Sequence, residues 1–160
     1  MLKFISNRDN IHFECEIVGY QFPEIADEWC LLRIKVIYSD QVFEKIDPTL
    51  ETMDLPKLHH WFSALANNTL PYSSHVWFTE PCINFSFNGY RDGLVYISIE
   101  LAYELEPNFK IDSHTGYDTQ DEENQYEPFI ISFALAPDDF KATLEYLDQV
   151  MEQYPKRRLT

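Results

Sequence analysis

From Ile11 the chain alternates. Ile11, Phe13, Cys15 and Ile17 are interleaved with His12, Glu14, Glu16 and Val18, and a period of two puts each set on its own face of a half-buried strand. Gly19 and Pro23 close it. The same pattern returns from Leu31 to Tyr38, with Arg33 and Lys35 set against Leu32, Ile34 and Val36, and Val42 to Ile46 reads as its shorter partner across Ser39-Asp40. Asp47-Pro48 interrupts the pattern. Leu55, Leu58, Phe62 and Leu65 then fall at helical spacing, which predicts a helix from about Asp54 to Asn67-Asn68, with Pro56 tolerated in its first turn. Strands resume at Val76 to Phe78 and at Ile83 to Phe87. Asn88-Gly89 and Asp92-Gly93 mark a reversal, because Asn, Asp and Gly tolerate positive φ. After it Val95, Ile97, Ile99, Leu101 and Tyr103 line one face of what reads as the longest strand, hairpin partner of the one before across a five-residue turn.

Phe129 to Leu135 reads as a seventh strand. Pro137, with Asp138 and Asp139 in the positive first turn, opens a helix carrying Phe140, Leu144, Leu147, Met151 and Tyr154 on one stripe. Pro155 stops that helix, and Lys156, Arg157 and Arg158 complement its negative end. About seven strands and two helices that do not alternate predict an α+β fold with an antiparallel sheet, in a single domain over residues 1–160. The stretch from about 106 to 128 has no period. From Glu104 to Glu127 lie eight acidic residues and one basic residue, Lys110. Little there can offset the cost of ordering the backbone, so a mobile acidic loop is expected, of a length that is usually functional or disordered.

Composition strengthens the reading of a folded domain. Forty-five percent of the 160 residues are hydrophobic and 16% aromatic, which supplies a core and excludes disorder of the whole chain. Charge narrows the partners. Twelve basic residues against 27 acidic ones leave a net charge of -15. That field repels phosphates and favours capture of a basic partner, while also serving solubility. The start has no stretch of signal-peptide length and no run of about 18 apolar residues occurs, so a cytoplasmic protein with no membrane or nucleic-acid partner is expected. Cys15, Cys30 and Cys82 are odd in number and widely spaced, which suggests neither a disulfide framework nor a zinc site.

Chemistry-bearing motifs are few. The four glycines, Gly19, Gly89, Gly93 and Gly116, are too scattered for a phosphate-cradling loop or a nucleophile elbow. His59-His60 has no metal-ligating partner at helical spacing. Asp121-Glu122-Glu123 lacks the spaced ligands and glycine of a calcium loop. No metal or cofactor is implied. Gly19, Trp29, Trp61, Glu80 and Pro81 read as structural: Trp29 at a strand entrance, Trp61 on the first helix, and Glu80 as a partly buried acid satisfying backbone donors at a strand end.

The order of several local patterns resembles one family. Glu16 to Pro23, Asp27-Glu28-Trp29-Cys30-Leu31, Asp47-Pro48-Thr49-Leu50, the Trp61-bearing segment, Phe78 to Phe85 and Tyr154-Pro155-Lys156-Arg157 are similar to WapI-type immunity proteins. The resemblance covers roughly residues 13–157. It implies a bacterial antidote that binds and blocks the toxin domain of a polymorphic toxin, without catalysis of its own. Nuclease toxins carry basic clefts, which carboxylates can occupy. The acidic candidates are Glu24, Asp27 and Glu28 in the first loop, and Glu104, Glu106, Asp118, Asp121, Glu122 and Glu123 in the second. Tyr117 and Tyr126 are the candidate aromatic anchors. The alternatives are an enzyme using a carboxylate pair in an aromatic-lined cleft, and a subunit of a larger assembly with a broad apolar patch.

Overall fold

The alternation read from Ile11 onward builds two antiparallel sheets in a computed structural model, which describes residues 1–111 and 128–157. The first sheet has the order β1 (Leu2–Ser6), β2 (Ile11–Tyr20), β3 (Trp29–Tyr38) and β4 (Gln41–Glu51). The second has the order β5 (His75–Val76), β6 (Ile83–Arg91), β7 (Leu94–Leu101) and β8 (Phe129–Leu135). Helix α1 (Asp54–Ala66) links the sheets, and α2 (Pro137–Gln153) follows the last strand. All neighbours pair antiparallel. The expected α+β class holds, with eight strands in two sheets where about seven in one were read.

The extra strand is β1. Leu2 and Phe4 face the core while Lys3 and Ile5 face solvent, and an apolar Ile5 on the wet face hides the alternation. β4 runs on through Pro48 to Glu51, past the expected stop. A proline has no N–H to give, so it sits in a sheet only at an edge or a bulge, and β4 is an edge strand whose register shifts at Cys30/Leu31. At eleven residues it is the longest strand, while β7 ends at Leu101 and Tyr103–Leu105 form a 3-10 turn. The hairpin between β6 and β7 turns on two residues, not five. Arg91 pairs with Leu94, and Asp92 and Gly93 both take positive φ, 55° and 76°, as a tight primed turn requires. Gly89 marks a bulge inside β6. Gly19 likewise does not end β2; the register shifts between Ile17 and Gly19, and pairing continues to Tyr20.

One core serves both sheets and both helices. Its centre is aromatic. The ring of Phe4 on β1 lies 6.1 Å from Phe62 on α1 and 5.7 Å from Phe133 on β8, and Phe62 in turn lies 5.8 Å from Phe85 and 6.3 Å from Phe140. Rings at such offsets add about 0.5–1.5 kcal/mol per pair beyond their area burial.

The open face of the first sheet is charge-balanced. Lys3, Glu14, Lys35 and Glu44 stand opposite one another in register across its four strands. Lys3 pairs with Glu14 at 3.2 Å and Lys35 with Glu44 at 3.8 Å, while Arg33 bridges Glu16 and Glu44. Each exposed pair contributes little to stability. Their consequence is electrostatic: three basic residues are neutralised here, so the excess negative charge lies on other parts of the surface.

Candidate partner-binding surface

The first acidic loop, residues 21–28, joins β2 to β3. Its turn exposes Phe22, Pro23, Glu24 and Ile25, while Asp27 and Glu28 are half-buried. Within the loop one backbone bond is weak, Ile25 N–H to the Phe22 carbonyl at 3.4 Å, and Gln21 N–H closes the base on the Trp29 carbonyl at 2.8 Å. Glu28 is fixed at its Oε2 by the Thr52 hydroxyl, and the Thr52 N–H donates to the Glu28 carbonyl at 3.0 Å. Glu28 Oε1 and Asp27 Oδ2 are buried without a hydrogen-bond partner among the described residues.

The loop overhangs a hollow of about 770 Å³ lined by Ile25, Ala26, Asp27, Glu28, Glu51, Met53, Lys156 and Arg157. Exposed apolar side chains edge it, Ile25 at 57% and Met53 at 50%. From Glu51 the acidic surface continues. Glu51 Oε2 accepts from the Thr79 hydroxyl at 3.1 Å. Next in the chain is Glu80, which is exposed. This corrects the reading of Glu80 as a partly buried acid: residues 79–82 form a bend and turn that leaves it and Pro81 in solvent, while the buried polar residue of this segment is Asn84.

Beyond Glu80 comes the 3-10 turn. The Cys82 thiol donates to Glu104 Oε2 at 3.3 Å. Burial, then that bond and the charges of Glu104, Glu80 and Asp47, push the thiol up to about 12. The exposed Glu104 is held below the usual carboxylate range by its own backbone N–H first, then by the Cys82 thiol, with Lys45 adding a smaller effect. Glu106 follows, half-buried. Asp27, Glu28 and Glu51 thus line the hollow together with the cations Lys156 and Arg157, Glu51 is tied to Thr79 beside Glu80, and Glu104 meets Cys82 near the charges of Glu80 and Asp47; exposed Glu24 stands on the loop outside these contacts. The sequence reading missed Glu51 and Asp47. Both lie where β4 was thought to have ended, and the extension of that edge strand is what places them.

The remaining candidates divide. Tyr117, Asp118, Asp121, Glu122, Glu123 and Tyr126 lie outside the described residues, as does most of the stretch expected to be a mobile loop. Its first part is packed: Pro107 is buried, and Phe109 stacks on Tyr38 at 6.4 Å and meets Phe129 edge-on at 5.8 Å. Trp29 opens β3 half-buried, and Trp61 is fully buried with its indole N–H donating to the Ser73 carbonyl at 3.1 Å. His59 Nε2 approaches Asp148 Oδ1 on α2 at 3.1 Å.

Arg157 differs from its expected role. α2 ends at Gln153, with no basic residue in its last turn. Arg157 instead reaches back to the first loop. Its guanidinium donates to the carbonyls of Phe22 at 3.0 Å, Pro23 at 2.7 Å and Asp27 at 3.4 Å, and also to that of Ile25.

Two hollows lie among the described residues, and they are lined differently. A hollow of about 300 Å³ has the aromatic walls of Tyr90 and Tyr96 but no carboxylate. The larger one has Asp27, Glu28 and Glu51 but no aromatic lining. Among the described residues no group of three or more His, Cys, Asp or Glu could hold a metal ion, the three cysteines are free and buried, and no helix is long and apolar enough to cross a membrane.

Together the strands and helices define a two-sheet α+β fold. The chain belongs to the immunity protein WapI-like family, whose model matches residues 3–155. No curated protein and no solved structure matches it.

Proposed function

We propose that this chain binds and blocks the toxic C-terminal domain of a bacterial contact-dependent or polymorphic toxin, a basic and nuclease-type domain, and does so as a non-catalytic decoy. Membership of the family points to a toxin partner. The observation that carries the finer reading is the set of carboxylates Glu28, Glu51, Glu80 and Glu104 between the first loop and the 3-10 turn, set against a charge-balanced sheet face. Carboxylates held along a folded surface resemble the phosphates that a basic cleft is built to receive. The protein would act in the cytoplasm, and its own charge disfavours nucleic acid as a partner.

The test is calorimetric binding to the cognate toxin domain. Replacing Glu24, Glu51 and Glu80 together by Gln should weaken the complex at low salt by roughly tenfold or more, about 1.4 kcal/mol. Replacing Lys3 and Glu14 on the balanced sheet face should leave it unchanged. The reverse pattern would move the interface to the sheet face.

A further inference from the structure

The loop at 21–28 is not self-supporting. Phe22 is 44% exposed, so the loop has little apolar anchorage of its own, and its one internal backbone bond is long. Its base is closed by Gln21 on Trp29 and by Thr52 on Glu28, while its tip is held from the far end of the chain. Arg157 meets the carbonyls of Phe22, Pro23, Ile25 and Asp27, which are 130 to 135 positions away in sequence. The guanidinium plane is itself held, 3.9 Å over the ring of Tyr20. Tyr20 is fixed in turn: its hydroxyl donates to the Pro155 carbonyl at 2.7 Å and its ring meets Tyr154 edge-on at 5.3 Å. One further contact seats α2 on the same strand, the Ile17 N–H donating to the Tyr146 hydroxyl at 2.8 Å beside the bulge.

A planar fork of five donors over an aromatic face can span several carbonyls at once, which a lysine ammonium on a flexible stem cannot. From this geometry we infer that Arg157 is a positioning residue for toxin recognition: it holds the 21–28 loop, with Glu24, Asp27 and Glu28, in the shape that binds. The inference rests on the reading of that loop as part of the toxin-binding surface. A loop that must first find its bound shape lowers the apparent affinity by the fraction of molecules already in that shape, and a pre-formed one avoids that loss.

The experiment compares wild type, R157A and R157K in two readouts: amide exchange of residues 24–28, and affinity for the cognate toxin domain. Both variants should exchange faster in the loop, with protection in β2, β3 and α2 unchanged. Both should bind the toxin roughly tenfold or more weaker, and R157K should not restore binding. Faster loop exchange with unaltered affinity overturns the recognition role and leaves the functional reading standing. Protection lost throughout β2, β3 and α2 in both variants would show a general structural role and overturn the inference. Unchanged loop exchange, or full recovery by R157K, also overturns it. Failure of wild type to bind the toxin removes the functional reading and the inference with it.

Discussion

The three cysteines show how residue type and environment diverge. Their spacing in the sequence argued against disulfides and zinc, and in the structure all three are free and buried. What the sequence does not contain is the environment each thiol meets. Burial comes first for each and pushes Cys15, Cys30 and Cys82 up to about 12, with neighbouring carboxylates adding to it at all three. The folded chain therefore keeps these protons to higher pH than the unfolded chain does. The resulting stabilisation is complete below the ordinary thiol range and is lost as pH climbs from there towards 12. Denaturant midpoints should fall across that alkaline window, and at neutral pH a thiol reagent should label the native protein only as fast as it opens. Rapid native labelling of all three thiols would contradict this account. Glu80 teaches the opposite lesson. Its aromatic neighbours in sequence suggested burial, but side chains in a turn do not inherit the environment of the strands they join.

At the scale of elements, those with an unbroken period were legible. The apolar face of α1 was read as Leu55, Leu58, Phe62 and Leu65, and these are its buried residues together with Asp54 and Trp61. β2, β3, β8 and α2 fall close to their expected bounds. The misses have local causes: Ile5 on the wet face of β1, a proline accommodated by an edge strand and bulge in β4, and two glycine turns of which one is a bulge. The acidic surface was half legible. Acid-rich segments could be named from composition, but Asp47 and Glu51 lie on an extension of β4 that its proline concealed. Arg157 was legible as a cation near a helix end and nothing more, because its partners are set by tertiary structure. α1 offers the sharpest stability test. Trp61 fills the space between helix and second sheet, 5.1 Å from Phe62 and 6.3 Å from Phe85, with its N–H satisfied. Replacing it by Ala should cost about 3–5 kcal/mol, read as a lower denaturant midpoint. Half-buried Trp29 should cost less. Equal, small losses at the two positions would show that α1 is not anchored through this residue.

For the whole molecule, charge distribution matters more than total charge. A net of -15 could be spread evenly and serve solubility alone. On the open face of the first sheet Lys3, Arg33 and Lys35 are paired with Glu14, Glu16 and Glu44, while Glu28, Glu51, Glu80 and Glu104 lie between the first loop and the 3-10 turn. Such a field raises the rate of encounter with a basic partner more than it slows escape. It is screened over about 8 Å at physiological ionic strength. The most direct test is stopped-flow association with the cognate toxin domain across a salt series. The account predicts an on-rate that falls steeply from low to high salt and a dissociation rate that changes far less. An on-rate indifferent to salt, or no complex at micromolar concentration, would contradict it.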